Sequence, residues 1–262
     1  MCKLSIITVN FNNAEGLQKT IQSINSQTFK DYEFLIIDGG STDASVDVIC
    51  KYHTLLNYSV SEPDNGVYHA MNKGILKATG EYCLFLNSGD ILANNKVLES
   101  VFDKVIDEDI IYGNAVKVKS HYHRLIKYTP DLSLYDFYRT TAAIHHQATF
   151  IKKELFVSYG FYREDIKIIA DWEFFFRVII QNKVKTKYID LTVCVFDGIG
   201  LSNVLKATDP DRILASQEKE TILKKYFPDY ILADYKKLDA LLSHRSCWQK
   251  LLNRISYFSI KK

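Results

Sequence analysis

The sequence predicts an α/β fold in which a mostly parallel sheet is flanked by helices. Residues 4–9 form a continuous apolar run, as expected for a strand that is covered on both faces. Apolar residues at helical spacing follow, and residues 34–37 form a second apolar run. A strand, a helix and a strand in this order form a βαβ unit, which implies parallel pairing and a right-handed crossover.

The alternation of strands and helices continues through residue 110. A second helix follows the second strand, and residues 58–61 fit a short third strand. The next helix covers residues 66–78 and ends before Gly80, after which residues 82–86 form another strand. A further helix is indicated by apolar residues at helical spacing, namely Val97, Leu98, Val101, Phe102 and Val105.

The second half of the chain is less regular. Residues 112–149 are rich in Tyr, His and Lys and show mixed periodicity, which favours antiparallel strands and loops. From Asp209 onward the pattern is helical with frequent charges, and Pro228 separates at least two helices. We therefore expect one large domain over residues 1–205 and a helical C-terminal extension over residues 206–262.

Composition narrows the class of protein. The chain has 262 residues, of which 47% are hydrophobic, enough for the core of one large domain. A net charge of +2 gives no global field, so nucleic acid is not implied as a partner.

The cysteines and the apolar runs indicate the cellular compartment. Five widely spaced cysteines without a CxxC pair favour a reducing cytosol. No apolar run approaches the roughly 20 residues of a membrane span, and the N-terminal run resembles a buried strand more than a signal peptide. We expect a cytoplasmic protein.

Polar clusters follow the predicted strands and should meet at one edge of the sheet. The four segments that carry them are LSIITVNFNNAE, EFLIIDGGSTD, EPDNGVYHAMNKGILKATGEYCLFLNSGD and IKIIADWEFFFR. An open α/β sheet binds its ligand at the carboxyl ends of its strands. The sequence lacks GxGxxG after the first strand and lacks GxxxxGK[ST], which disfavours a dinucleotide-dependent oxidoreductase and a P-loop NTPase.

In this order the four segments resemble the family 2 glycosyltransferases, inverting enzymes of the GT-A fold that use nucleotide-sugar donors. The resemblance covers residues 3–205 and is closest to the branch that builds bacterial exopolysaccharide, capsule or O-antigen. It implies a nucleotide-sugar-binding half over residues 1–110 and an acceptor and catalytic half over residues 111–205. It also implies two substrates, a nucleotide-sugar donor, in particular a UDP-sugar, and a glycan or lipid-linked saccharide acceptor.

The resemblance assigns the donor contacts to the first two polar clusters and to the third segment. It places Asp38 against the N–H of a uracil-like base, with Thr8 and Asn10 lining the same pocket. An Asp in a DGG sequence equally suits a turn. Asn72 and Lys73 are assigned to the ribose and diphosphate, with Lys73 as a counter-charge. A solvated helix lysine is the alternative for Lys73.

Further donor and metal contacts are implied around the next turn. Asp64 is assigned to the donor, although it also suits a helix N-cap. The sequence from Asn87 to Asp90, NSGD, stands where the family has an Asp-x-Asp motif that holds Mg²⁺ or Mn²⁺ against the diphosphate. Asn87 is assigned to the donor and Asp90 to the metal. NSGD has fewer carboxylates than the family motif, so metal binding should be weaker. The alternative is that NSGD is only a turn after the strand.

Asp171 is the candidate catalytic base. It and Glu173 are the only acids in an apolar and aromatic segment, and apolar surroundings raise a carboxylate's pKa toward that of a useful base. The resemblance matches Asp171 to the late acidic motif of the family, and the alternative is a helix N-cap. His146 is expected to border the acceptor or the metal, although a structural histidine fits equally.

Two later segments complete the predictions. Residues 198–202 resemble a glycine-containing segment that closes over the donor. Residues 243–262 combine basic and aromatic side chains without an acid, which suits either the anionic inner face of the cell membrane or packing on the protein body. The main hypothesis is thus an inverting glycosyltransferase. Its rival is a non-catalytic nucleotide-sugar-binding or assembly subunit with a degenerate metal motif.

Overall fold

The computed structural model describes residues 2–103, 107–119, 122–197 and 209–242. Nine strands in these ranges form one sheet: β1 Leu4–Asn10, β2 Tyr32–Asp38, β3 Tyr58–Ser61, β4 Tyr82–Phe85, β5 Ile91–Leu92, β6 Ile110–Lys119, β7 Tyr122–Ile126, β8 Thr149–Lys152 and β9 Thr186–Asp197. The helices are α1 Ala14–Asn25, α2 Ser45–Lys51, α3 Val67–Lys77, α4 Val97–Phe102, α5 Leu134–Arg139, α6 Glu154–Tyr159, α7 Ala170–Phe175 and α8 Pro210–Tyr226.

The N-terminal half of the sheet is parallel, as predicted. Its strands lie in the order β3, β2, β1, β4, and each neighbouring pair is parallel. The register aligns Asn10 at the end of β1 with Asp38 at the end of β2, and Asp38 with Ser61 at the end of β3. The polar residues that follow these strands therefore meet at one edge of the sheet.

The C-terminal half of the sheet is mixed. β8 pairs antiparallel with both β4 and β6, β6 pairs parallel with β9, and the short β5 pairs antiparallel with β9. β7 forms an antiparallel pair with β6, so the prediction of antiparallel strands and loops for residues 112–149 is confirmed. This region also contains α5 and a 3-10 turn, His146–Ala148, that leads into β8.

The core lies on both faces of the sheet. Successive side chains of a strand point to opposite faces, and in β1 Leu4 and Ile6 join one cluster while Ile7 and Val9 join the other. The first cluster packs against α1, α2 and α4, and the second packs against α3, α6, α7 and α8. These layers hold the carboxyl ends of β1 to β4 in fixed positions.

The C-terminal extension begins with α8, which packs on the body of the protein. Ala215, Ile222 and Leu223 of α8 are buried in the same cluster as α7, and Tyr226 lies 5.7 Å from the ring of Phe176. A second helical segment starts after Pro228 and covers residues 229–242, as the sequence predicted. None of the described helices has both the length and the apolar character that a membrane span requires.

Candidate functional site

Asp38 lies at the centre of the edge formed by β1, β2 and β3. Its buried carboxylate accepts hydrogen bonds of 2.6 Å from Asn10 Nδ2, from Ser41 Oγ and from Ser61 Oγ, and one of 2.9 Å from the backbone N–H of Ser41. Burial opposes ionisation, but these hydrogen bonds outweigh it and lower the pKa of Asp38. Asp38 thus organises the turn after β2, and its contact with a base stays a prediction.

Asp64 and Lys73 form an ion pair beside this turn. Lys73 Nζ lies 2.6 Å from Asp64 Oδ1 and 2.8 Å from Glu62 Oε1, and the lysine side chain is only 19% exposed. Burial alone would lower the pKa of Lys73, but the two carboxylates outweigh it and raise that pKa. The side chain of Lys73 is therefore not freely solvated, and that alternative is wrong. The N-cap of α3 is Gly66, so the N-cap alternative for Asp64 does not hold either.

Asn72 faces away from this ion pair. Its amide donates 2.9 Å hydrogen bonds to the carbonyl of Tyr162 and to Glu164 Oε1, and its oxygen accepts a 3.1 Å bond from the Tyr162 backbone N–H. These contacts tie α3 to the loop that precedes α7. The structure does not bring the Asn72 side chain together with Lys73, so its donor contact stays a prediction.

The NSGD sequence forms a tight turn after β4. Gly89 has a φ of +103°, a conformation that favours glycine, and the Asp90 N–H donates a 2.9 Å hydrogen bond to the carbonyl of Asn87. The Thr20 hydroxyl donates to the carbonyl of Asp90 at 2.7 Å, which fixes the turn against α1. The turn interpretation is therefore confirmed as far as the backbone is concerned.

The turn does not provide a complete metal site. In the four ranges that the structure describes, no three or more His, Cys, Asp or Glu side chains are grouped so that they could hold a metal. The oxygen Oδ1 of Asn87 is buried and has no hydrogen-bond partner in these ranges, so it remains one candidate ligand beside Asp90. Two side chains do not complete the coordination of a divalent cation, so phosphate oxygens and water would have to supply the other ligands. The metal stays a prediction, and no step of the reaction is assigned to it below.

Asp171 occupies the second position of α7, one side of which faces α3. Its Oδ1 accepts a 3.0 Å hydrogen bond from the hydroxyl of Tyr68, and its Oδ2 accepts a 2.8 Å bond from Nδ1 of His146. The N-cap of α7 is Ile169, so the N-cap alternative for Asp171 is wrong. The structure thus joins residues from three distant segments around one carboxylate.

The acidity of Asp171 differs from the sequence prediction. Burial does oppose ionisation, but the hydrogen bonds and charge of His146, together with the Tyr68 hydroxyl, outweigh it and lower the pKa of Asp171. The predicted rise was wrong because the two donors come from α3 and from the turn before β8, which the local sequence does not reveal. The side chain is therefore ionised at neutral pH.

The two adjacent histidines have different environments. His145 packs on Phe196 with ring centroids 5.0 Å apart and is hydrogen-bonded to the Tyr128 hydroxyl. Burial, with the neighbouring His146 charge, lowers the pKa of His145 to about 4, so its ring is neutral. His146 instead joins Asp171 to the NSGD turn, since its Nε2 lies 3.4 Å from Asn87 Nδ2. His145 is structural, and His146 belongs to the site.

Unsatisfied polar atoms also mark this edge of the sheet. Within the described residues, buried oxygens without a hydrogen-bond partner occur on four of the side chains that the sequence assigned to the donor: Thr8, Asn10, Asp64 and Asn87. Buried polar groups are normally paired, so each such atom calls for an explanation. A polar ligand that binds at this edge would provide the missing partners.

Sequence reasoning missed two residues of the site. Tyr68 lies outside the predicted apolar stripe of α3, yet it contacts Asp171, and its position four residues before Asn72 could have indicated a shared face. Phe11 is 64% exposed at the end of β1. A Cβ built on Gly39 would lie 3.3 Å from both a Phe11 ring carbon and Asp64 Oδ2, so the aromatic ring borders the Asp64 carboxylate. The sequence signal for Phe11 was an aromatic residue inside the polar cluster that follows β1.

Comparison with known proteins identifies the family. Residues 5–158 match the profile of glycosyl transferase family 2, which is more than half of the chain. The chain belongs to glycosyltransferase family 2. A PGL/p-HBAD biosynthesis glycosyltransferase of Mycobacterium bovis (strain BCG / Pasteur 1173P2) is 32% identical over 208 residues, which cover 77% of this chain and 79% of the relative. The family resemblance seen in the sequence is thus confirmed.

Solved structures show the same fold. S. aureus TarS 1-349 in complex with UDP-GlcNAc has a TM-score of 0.66 at 16% identity, over 89% of this chain and 70% of TarS. The mannosyltransferase PcManGT from Pyrobaculum calidifontis in complex with GDP-Man and Mn²⁺ has a TM-score of 0.57 at 17% identity, over 95% and 83% of the two chains. The predicted GT-A fold is confirmed. Asp171 lies beyond the family match at residues 5–158, so its role rests on its contacts.

Proposed function

We propose that this family 2 glycosyltransferase inverts the anomeric carbon as it transfers a sugar from a UDP-sugar to a growing or lipid-linked cell-surface glycan. The observation that carries the proposal is the Asp171 carboxylate, which is only 18% exposed and is held by Tyr68 and His146 beside the edge that carries Asp38 and Asp64. One edge thus combines a base with polar groups that lack partners. This is the arrangement that a direct displacement between two bound substrates requires.

The reaction follows from the position of the carboxylate. Asp171 takes the proton of the acceptor hydroxyl while the acceptor oxygen forms its bond to the anomeric carbon. The bond between that carbon and the diphosphate oxygen breaks, and UDP leaves from the opposite face. Because the pKa of Asp171 is lowered, the carboxylate is in its base form at neutral pH. Each of its oxygens keeps acceptor capacity beyond the bond from Tyr68 or His146.

The donor end is supported by three groups. The exposed ring of Phe11 offers a stacking surface for a base, and Asp64 Oδ2 beside it offers an acceptor without a partner among the described residues. Lys73 is the cation nearest to Asp64, and a diphosphate would compete for it with Asp64 and Glu62. The relative of known structure TarS was crystallised with UDP-GlcNAc, which favours UDP as the nucleotide.

A divalent metal is a second element of the proposal. PcManGT was crystallised with Mn²⁺. In this chain Asn87 and Asp90 of the NSGD turn are the side chains that would hold the metal. A bound Mn²⁺ or Mg²⁺ would neutralise charge on the leaving diphosphate. Calorimetric titration of UDP with Mn²⁺ and with chelator tests this element by itself. Equal UDP affinity under the two conditions would contradict it.

The rival function is a non-catalytic subunit that binds a nucleotide sugar. The incomplete metal site is the observation in its favour. The two functions are distinguished by incubating the purified protein with UDP-, GDP- and dTDP-sugars, with and without Mn²⁺, and measuring release of the nucleotide diphosphate. Turnover with a UDP-sugar supports the enzyme. Tight binding of the same donor without turnover, with or without an acceptor extract, supports the rival.

The proposed location is the inner face of the cell membrane. The basic and aromatic segment 243–262 lies outside the described residues, but the helix that leads to it can be inspected. Leu238, Leu241 and Leu242 are exposed at helical spacing on residues 229–242. An apolar stripe of this kind next to a basic segment suits peripheral attachment to an anionic bilayer.

A further inference from the structure

A cavity lies on the side of Asp171 that faces the C-terminal extension. Its volume is about 290 Å³, near the lower end of the ~300–1,000 Å³ usual for small-molecule sites. It is enclosed by the end of α5, the loop after α5, the segment before α7 and the first turns of α8. A second cavity of about 440 Å³ adjoins it and shares Arg139, Ser216 and Lys219 with it. The two cavities therefore meet at these three side chains.

The first cavity is lined by an excess of positive charge. Arg139, Arg212 and Lys219 line it, against one carboxylate, Asp211. Within the described ranges neither arginine takes part in a hydrogen bond or an ion pair, and Lys219 donates only to the carbonyl of Tyr138, at 2.8 Å. Burial lowers the pKa of Lys219, and the charge of Asp239 opposes this only in part.

Neutral donors complete the lining of the cavity. Thr140, Thr141 and Ser216 present hydroxyl groups to it. Guanidinium, ammonium and hydroxyl groups together are the set that recognises phosphate oxygens, with arginine supplying paired N–H donors. A neutral sugar carries no negative charge that could pair with three cations. The lining therefore selects an anion with several oxygens.

The backbone connects this cavity with the catalytic residues on two sides. Thr140 and Thr141 begin the loop that ends at His146, and Ile168 and Ile169 directly precede α7 and Asp171. The single proton of the Tyr68 hydroxyl is shared between the Ile168 carbonyl at 2.7 Å and Asp171 Oδ1 at 3.0 Å. The donor groups lie at the ends of β1 to β3, whereas the cavity borders the segment before α7, so we place the cavity on the acceptor side.

We infer that this cavity binds a phosphate or diphosphate group of the acceptor through Arg139, Arg212 and Lys219, so that the acceptor is a phosphate-bearing saccharide. The inference rests on the proposed function and narrows its acceptor class. It also gives α8 a role in binding, because two of the three cations are on that helix. The source of the phosphate could be a prenyl diphosphate carrier or a free anion, and the test separates these sources.

The test uses the full chain with its donor site filled. With UDP saturating, the protein is titrated with geranyl diphosphate and, separately, with inorganic diphosphate.

The variants are R139Q and R212Q, singly and together. They are suitable because both arginine side chains are exposed and bond to no described residue. The matched control is R124Q, since Arg124 is exposed on β7. We expect each site variant to weaken geranyl diphosphate binding about tenfold or more, since a charge-assisted hydrogen bond is lost. R124Q and the UDP affinities should be unchanged.

Three results would overturn the inference. They are failure of geranyl diphosphate to bind, binding that R139Q and R212Q leave unchanged, and inorganic diphosphate binding as tightly as geranyl diphosphate, which would reduce the cavity to a site for a free anion. Failure of the proposed function is a separate result. UDP would then not bind, or no sugar would be transferred, while the prenyl diphosphate titration would still report on the cavity.

Discussion

The reactivity of Asp171 reflects two opposing effects. A buried carboxylate is normally held in its neutral form, yet two hydrogen bonds at 2.8 Å and 3.0 Å reverse the direction of the shift. In the proposed mechanism His146 and Tyr68 are positioning residues, and their loss should change the acidity of Asp171. The loss of the carboxylate should be seen in turnover, and the loss of either hydrogen-bond donor should be seen in the pH profile.

Replacing Asp171 with asparagine should remove the base while preserving the shape of the site. We expect the D171N variant to lose roughly 10²- to 10⁴-fold in turnover, the usual scale for loss of a general base, with little change in donor affinity. Steady-state kinetics and UDP titration measure the two quantities. The comparison variant is E173Q: Glu173 is buried and paired with Arg177 at 3.1 Å, so this change should lower thermal stability more than turnover. Near-normal turnover of D171N would transfer the role to another acid.

Removing either donor should make Asp171 less acidic. In the wild type the lowered pKa keeps the base ionised at neutral pH, and activity is lost only as the pH falls through that pKa. In H146A or Y68F burial is less opposed, so the pKa should rise. The acid limb of the kcat/KM profile should then move to higher pH.

The control for this shift is H53A, because His53 is exposed and hydrogen-bonded only to the carbonyl of Cys50 among the described residues. Its acid limb should match the wild type. Y68F removes no titrating ring, so a shift in both site variants identifies Asp171 as the group that moves. An unchanged acid limb in both would show that Asp171 does not control the reaction.

The sequence predicted where the candidate residues lie along the strands and helices better than it predicted their contacts. The apolar run before Asp38 placed it at the end of β2, and the family resemblance assigned Asp38, Asp64 and Lys73 to the donor, which stays a prediction. The hydrogen bonds of Asp171 could not be predicted, since His146 and Tyr68 are 25 and 103 residues away along the chain. Asn72 shows the same limit, because its partners at Tyr162 and Glu164 lie in a loop without periodicity.

The helix α8 supports the catalytic helix directly. The carboxylate of Glu218 accepts hydrogen bonds from three consecutive backbone N–H groups just before α7, at 2.6 Å from Lys167, 3.2 Å from Ile168 and 3.3 Å from Ile169. No side chain caps α7 from its own N-cap, Ile169, and Glu218 instead binds the backbone N–H of Ile169 and of the two residues before it. The C-terminal extension thereby fixes the start of the helix that carries Asp171.

Truncating Glu218 should remove the hydrogen bonds between α8 and the segment before α7. E218A leaves three backbone donors without a partner, and we expect a loss of about 1–3 kcal/mol in the free energy of unfolding together with reduced turnover. E218Q keeps an acceptor oxygen and should lose less of both. The matched control is E220A on the same helix, where Glu220 is exposed and pairs only with Lys224, at 2.7 Å, in the described ranges. Urea unfolding measures the difference, and equal effects of E218A and E220A would contradict this role.

Elements with local signals were predicted well, and elements that depend on distant pairing were not. The helices α1 and α3 have apolar stripes, and the strands β1 and β2 have continuous apolar runs, so the parallel half of the sheet was predictable. β6 and β9 are the longest strands, at 10 and 12 residues, yet polar residues alternate along them. Their pairing over a long separation in sequence, with a shift of register near Asn114, leaves no local signal.

In the described residues, the C-terminal helix α8 is attached to the core of the sheet domain. The boundary at residue 205 stays a prediction, but α8 buries Ala215, Ile222 and Leu223 in the same cluster as α7 and cannot be an independent unit. Only the part beyond residue 242 remains a candidate for a separate role. The fold itself does not reveal the sugar or the acceptor, which depend on the site.

Deleting residues 243–262 should release the protein from membranes. The segment has five basic residues and no acid, and each basic residue near an anionic surface contributes about 1 kcal/mol before screening. We expect the truncated protein to stop sedimenting with phosphatidylserine-containing liposomes while its UDP affinity is unchanged. A full-length variant with the five basic residues changed to glutamine is the control for folding. Retained liposome binding in both proteins would contradict the membrane role.

The most direct test of the proposed chemistry is the configuration of the transferred sugar. The purified protein is incubated with α-linked UDP-sugars and a phosphate-bearing acceptor or water, and the anomeric proton of the first product is followed by proton NMR. A single displacement with Asp171 as base predicts a β-configured product from the wild type, and its formation roughly 10²- to 10⁴-fold more slowly by D171N, although D171N still binds UDP. A product of α configuration, or the β product formed by D171N at the wild-type rate, would contradict the mechanism.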